Sequence, residues 1–117
     1  MKLITAIIRP EKLDDVRGAL AQCDVYLMTV SECTGFGRQR GVTEVYRGQE
    51  LHETLLPKIK IEIAVSDPFV EATVDAIVRS ARSGETGKVG DGKIFVLPMD
   101  DCIRIRTGEA GASAIGP

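Results

Sequence analysis

The sequence predicts an α+β domain built on one antiparallel sheet, with two strand–helix–strand stretches separated by a long charged segment. Two observations carry this. Runs of β-forming residues flank a helical period in both halves, whereas residues 37–55 (GRQRGVTEVYRGQELHETL) show no sustained period. Residues 2–9 (KLITAIIR) read as a buried strand, stopped by Pro10 because proline has no N–H for a ladder. Leu13, Val16 and Leu20 then recur at helical spacing, with Glu11, Asp14, Asp15 and Arg17 on the other face, which predicts a helix over about 11–22. Residues 24–36 (DVYLMTVSECTGF) are rich in β-formers and predict the second strand.

After the charged segment, KIKIEIAV at 58–65 alternates strictly. Ile59, Ile61 and Ile63 face one side of a strand; Lys58, Lys60 and Glu62 face the other. Asp67 reads as the N-cap of a second helix, and Val70, Val74, Ile77 and Val78 carry it to about Arg82. The Gly-rich connection SGETGKVGDG leads into the strand KIFVLP, and CIRIRTGE alternates again at the end. The order is β-α-β, long loop, β-α-β. That is the split βαβ, ferredoxin-like arrangement, a four-stranded antiparallel sheet with both helices on one face. Residues 1–117 read as a single domain with no internal linker; the halves share a topology but no sequence repeat.

Composition narrows the function classes. Hydrophobic residues make up 44% of the chain, ordinary for a folded domain, and the formal net charge of -2 supplies no global field for nucleic acid or an anionic membrane. No apolar run approaches the roughly 20 residues that span a bilayer, and MKLITAIIRP is too short for a signal h-region and lacks a cleavage site. A cytoplasmic protein is expected. Cys23, Cys33 and Cys102 have neither disulfide-framework nor metal-site spacing, and His52 is the only histidine.

The residues that can carry chemistry cluster in the second half. Gly87-Lys88-Val89-Gly90-Asp91-Gly92-Lys93 contains a G-x-x-x-x-G-K string, but Ile94 stands where a P-loop needs Ser or Thr. The order here is helix–loop–strand, so no helix N-terminus follows to hold a phosphate. The glycines still let backbone N–H groups converge, and Lys88 and Lys93 add charge; the plain alternative is a flexible turn. Arg104 and Arg106, two apart in an extended segment, would point the same way and suit bidentate phosphate binding. A solvated strand face is the plain alternative for them. Lys58, just after the long loop and alongside Arg38 and Gln39 across its base, can bind a carboxylate, though a surface lysine is commoner. Gln39 can offer an oxygen to Mg²⁺. No nucleophile–base pair is visible, which favours binding over catalysis.

Six strings together resemble the PII nitrogen-regulatory signal-transduction family: AIIRPEKLDDVRGAL (6–20), TGFGRQRG (34–41), TEVYRG (43–48), LPKIKIEI (56–63), TGKVGDGKIFV (86–96) and IRIRTGE (103–109). The resemblance covers nearly the whole chain. It implies a homotrimer of ferredoxin-like subunits with nucleotide sites in the clefts between them. Gly37, Arg38, Gln39, Gly90, Asp91, Gly92 and Lys93 would line the ATP or ADP site, and Arg104 and Arg106 would reach the phosphates, with Arg106 or its neighbour crossing from the adjacent subunit's side. Thr29 and Glu62 match positions near the adenine and ribose. Gln39 would ligate Mg²⁺, which bridges ATP and 2-oxoglutarate, while Lys58 and the backbone of Gln39, Arg40 and Gly41 would hold the keto acid. The long loop, about 37–55, would be the arm that reaches an ammonium-type or other membrane transporter, or a metabolic enzyme. The loop at about 83–93 would hold phosphate, followed by a C-terminal segment at about 102–117. No nucleic acid, membrane insertion or catalytic role is expected, beyond at most weak ATP hydrolysis.

The chain departs from the family in two places. Enteric-type members carry a uridylylated tyrosine at the tip of the long loop, where this chain has Leu51, and Gln49 stands where some cyanobacterial members have a modified serine. Residues 83–85 lengthen the Gly-rich loop by about three residues, which bears on the preference for ATP or ADP. Two other classes compete with this reading. A divergent sensor can pair an adenine nucleotide with another small ligand such as bicarbonate and regulate a transporter. The fold also hosts phosphoryl-transfer enzymes, but these need a histidine in a pocket and His52 falls in the long loop.

Overall fold

The computed structural model describes residues 1–38, 44–46, 49–51 and 53–116 and, within 37–54, the backbone alone. Strand β1 (Lys2–Ile8) is the middle of the domain: Ile4, Ala6 and Ile8 are buried on one face while Leu3, Thr5 and Ile7 are half-buried on the other. Pro10 does stop it, and then opens a 3₁₀ turn, Pro10–Lys12, where a missing N–H costs nothing. Helix α1 (Leu13–Gln22) follows and buries Val16 and Leu20. Strands β2 (Thr29–Arg38), β5 (Glu53–Val65) and β6 (Gly92–Pro98) complete an antiparallel sheet in the order β2-β5-β1-β6. Helix α2 (Val70–Ala81) lies between β5 and β6 in sequence. The described residues thus form the ferredoxin-like α+β fold. Both helices feed one core, in which Val16, Leu20, Ala76, Ile77 and Ala81 pack with Ile4, Ile8, Ile59, Ile61 and Ile63. The opposite face of the sheet carries no helix among the described residues.

Several expectations are corrected. The second strand begins at Thr29, not Asp24. Asp24 has φ 60 and turns the chain out of α1, its amide bonding to the Ala21 carbonyl, so that Val25 can be buried before the strand starts. The third strand of the sheet begins at Glu53, well before Lys58, because β2 and β5 stay paired out to Arg38↔Glu53. Inside the charged segment, β3 (Glu44–Tyr46) pairs with β4 (Gln49–Leu51) as a separate two-stranded sheet. A ribbon of this kind rests on backbone hydrogen bonds and needs no buried stripe, so no apolar period marks it in the sequence.

Asp67 is not the cap of α2. Residues Asp67–Phe69 form a 3₁₀ turn with no side-chain cap bond, and the Asp67 carboxylate accepts instead from the N-terminal ammonium of Met1 at 2.7 Å. On α2 the buried side chains are Thr73, Ala76, Ile77 and Ala81, while Val78 is exposed. Thr73 can be fully buried because its hydroxyl donates to the Phe69 carbonyl at 2.7 Å. Finally, CIRIRTGE is not a strand but the start of a short hairpin. It is held by one bridge, Ile103↔Ala110, and by the Gly111 amide on the Cys102 carbonyl.

Candidate functional site

The Gly-rich loop is a built structure rather than a slack turn. Its centre is the Asp91 carboxylate, which accepts from the Ser83 amide at 2.9 Å, the Ser83 hydroxyl at 2.6 Å, the Lys88 amide at 2.9 Å and Arg9 Nε at 3.0 Å. Burial pushes this carboxyl up, but the hydrogen bonds from Ser83, Lys88 and Arg9 outweigh it. They hold Asp91 well below the usual carboxylate range. Two cations from the sheet tie down the loop's carbonyls: Arg9 Nη2 donates to Val89 O at 3.0 Å, and Lys58 Nζ donates to Gly90 O. Gly92 has φ 108, and a Cβ there would lie 1.7 Å from the Ile7 carbonyl oxygen, so only glycine lets the loop enter β6 against β1.

The Lys88 and Lys93 side chains make no hydrogen bond or ion pair among the described residues, and both are exposed at the loop's rim. Between the loop and α2 runs a cleft of about 610 Å³ with Val74, Ile77 and Ile94 in its wall and Arg82, Lys88 and Lys93 along its edge. Thr29 and Glu62 stand away from that cleft, opposite each other on the uncovered face of the sheet, in a row that continues through Thr5 to Phe95. Lys60 lies 3.9 Å from Glu62 on the same face.

Lys58 is not beside Arg38. It pairs with Cys33, five rungs from Arg38↔Glu53, a separation of ~17 Å at the rise of a strand. Gly37 and Arg38 end β2, and Gln39, Arg40, Gly41 and His52 lie outside the described residues, so the proposed metal and keto-acid ligands around Gln39 fall there too.

Arg104 and Arg106 do not form the matched pair expected of a strand. Arg106 sits in the turn of the hairpin and is exposed. Arg104 is half-buried and engaged: Nη1 meets Glu109 Oε2 at 2.6 Å, and Nη2 donates to Ser113 O at 2.8 Å and Gly116 O at 3.1 Å. Its Nε–H is buried and has no partner among the described residues. Sequence reasoning missed Arg9, Ser83 and Glu109. Arg9 was legible only as the end of a strand, and Ser83 only as part of a lengthened loop. Glu109 is five residues from Arg104 with Gly108 between, a spacing that becomes a contact only when the chain turns.

With this geometry in view, the chain matches the family model described as "Nitrogen regulatory protein P-II" over residues 1–109. It belongs to the P-II family. It is 57% identical over 115 residues, 98% of its length, to "Nitrogen regulatory protein P-II" of Klebsiella oxytoca, and the match covers 100% of that relative. The same figures hold for "Nitrogen regulatory protein P-II 1" of Escherichia coli (strain K12) and of Salmonella typhimurium. These relatives are named as regulatory proteins, and the P-II family is one of nitrogen-regulatory signal transduction. No described helix is long and apolar enough to cross a membrane.

Proposed function

We propose that three copies of this chain form a signalling protein that binds ATP or ADP between subunits, joins 2-oxoglutarate through Mg²⁺, and reports that state to a partner in the cytoplasm through the segment 37–55. The observation that carries the reading is the placement of the two anion-directed groups. The Gly loop enters β6 at Gly92 and the Arg104 hairpin leaves beyond Pro98, ~20 Å further along the strand. In this reading the loop of one copy and the hairpin of a second copy beside it together form the phosphate site. The same strand supplies reasons to associate. Phe95, Val96 and Leu97 are about half exposed on the edge strand β6, and Ile103 and Ile105 on the hairpin are more so.

In this reading the loop's amides with Lys88 and Lys93 receive the phosphates from one side, and Arg104 and Arg106 from the other. Thr29 and Glu62 serve the nucleoside, with Gly37, Arg38, Gly90, Asp91 and Gly92 shaping the cleft. Mg²⁺ on Gln39 would neutralise phosphate charge and present 2-oxoglutarate to Lys58 and the backbone of 39–41. Because Lys58 lies five rungs from Arg38, a keto acid shared by Lys58 and the residues after Arg38 requires the ribbon 34–38/53–57 to fold back. Occupancy would then move the arm, and the arm is what a transporter of the ammonium type, another transporter or a metabolic enzyme would meet.

Light scattering on the eluting protein tests the assembly, and calorimetry with ATP, ADP and AMP, with and without Mg²⁺ and 2-oxoglutarate, tests the ligands. A trimer is expected, with 2-oxoglutarate binding only when ATP and Mg²⁺ are present and tightening ATP by the reciprocal factor. A monomer that binds ATP at full affinity refutes the shared site, and no adenine-nucleotide binding at all refutes the reading. ATP binding that ignores 2-oxoglutarate but responds to another small anion such as bicarbonate reassigns the second ligand.

A further inference from the structure

The Arg104 hairpin contains a feature that phosphate binding alone does not call for. Glu109 touches the guanidinium with a single oxygen, at 2.6 Å from Nη1, although a guanidinium offers a carboxylate two parallel donors. Both Nη2 donors go to backbone carbonyls of the C-terminal turn, Ser113 O and Gly116 O. Nε–H, which shares an edge with the engaged Nη2, is buried and unpartnered among the described residues. An idle buried N–H is a cost, so this pairing is a poor resting partner for Arg104. It is also a closed one. The Arg104 amide donates to the Glu109 carbonyl at 2.8 Å, which holds the two residues' backbones side by side.

We infer, on the strength of the nucleotide reading above, that Glu109 is a specificity-determining residue that competes with phosphate for Arg104. A phosphate reaching Arg104 must displace the carboxylate oxygen from Nη1, because Nη2 is held by Ser113 O and Gly116 O and Nε is buried. Any nucleotide whose phosphate chain extends to the hairpin pays this displacement, and one whose chain stops short does not. Glu109 thereby narrows the gap between a triphosphate and a monophosphate and holds the triphosphate's affinity down. A regulator that must release its ligand as concentrations change needs that moderation. The pair is partly solvated, with side-chain exposures of 18% for Arg104 and 43% for Glu109, so its displacement is worth a moderate factor rather than a large one.

The test is calorimetric titration of the full chain and of Glu109→Gln with ATP and with AMP, at one fixed salt concentration. Glutamine keeps the shape and the backbone bond but loses the charge. ATP is expected to bind E109Q roughly three- to tenfold more tightly than wild type, with AMP unchanged. Raised salt should shrink the difference in ATP affinity. ATP affinity that is unchanged or weaker in E109Q, while wild type binds ATP, overturns the inference and makes Glu109 a support for Arg104. Equal tightening of ATP and AMP overturns it as well, since the effect would then not depend on reach. Should E109Q fold poorly by circular dichroism, Glu109→Asp replaces it. Shortened by one methylene, it must tighten ATP in the same direction by a smaller factor, and no tightening refutes the competition. Wild type binding no nucleotide is a different failure, that of the proposed function.

Discussion

Replacing Asp91 with asparagine should loosen the Gly-rich loop by an amount that depends on pH in a defined direction. The wild-type carboxylate receives four hydrogen bonds, from the Ser83 amide and hydroxyl, the Lys88 amide and Arg9. Asparagine retains one acceptor oxygen, loses the charge that Arg9 pairs with and brings an NH₂ face to face with donors. Hydrogen bonds to a charged group are worth about 1.5–3 kcal/mol each when buried. They do not add, and this side chain is 18% exposed, so the net loss is set at about 2–3 kcal/mol.

The pH dependence follows from the depressed pKa of Asp91. A carboxyl held lower in the folded than in the unfolded chain contributes fully above its unfolded value, about 3.9. The contribution fades as pH falls from there toward the folded value, because the unfolded chain takes up the proton first. Urea unfolding of wild type and D91N at pH values from about 7 to 3 measures this, with the m-value checking that the unfolded states are comparable. The gap between the two proteins should be constant near neutrality and narrow below about pH 4. A gap under about 0.5 kcal/mol at pH 7, or one that persists undiminished at pH 3, would show that the four contacts do not act as the loop's anchor.

Three further outcomes are expected. Gly92→Ala places a methyl 1.7 Å from the Ile7 carbonyl oxygen at φ 108; it should cost more than about 3 kcal/mol and disrupt the β1–β6 pairing, and a normally folded variant by circular dichroism and urea titration would contradict it. Arg104→Ala and Arg106→Ala should each weaken ATP binding on the order of ten- to a hundredfold, and unchanged affinity in both, with the fold intact, removes the hairpin from the site. Leu51 offers no hydroxyl, so incubation with a uridylyltransferase should leave the intact mass unchanged; a stable adduct on Tyr46 would show covalent control through the segment after all.

What the sequence determined by itself was whatever a period or a short string can express. The strict alternation of Ile59, Ile61 and Ile63 required one buried face in β5, and the i, i+4 spacing of Val16 and Leu20 required α1 to cover it. Pro10 marked where β1 must end, and the β-α-β order of the two halves, with the six family strings beside it, marked the fold class. What only the tertiary structure decided were the contacts made across long sequence separations or by backbone alone. Arg9 meets Asp91 across 82 residues, because β1 ends at Ile8 directly opposite Gly92, where the antiparallel β6 begins. Lys58 is held away from Arg38 because a ribbon of backbone hydrogen bonds, invisible to any hydrophobic pattern, continues β2 and β5 past the sheet. Arg104 and Arg106, two apart in an alternating string, diverge because Gly108, at φ 72, turns the chain into a hairpin and brings Glu109 onto one arginine alone. Alternation predicts a strand only where a neighbouring strand is present to take its hydrogen bonds. At the end of this chain the partners for those bonds are the chain's own last residues.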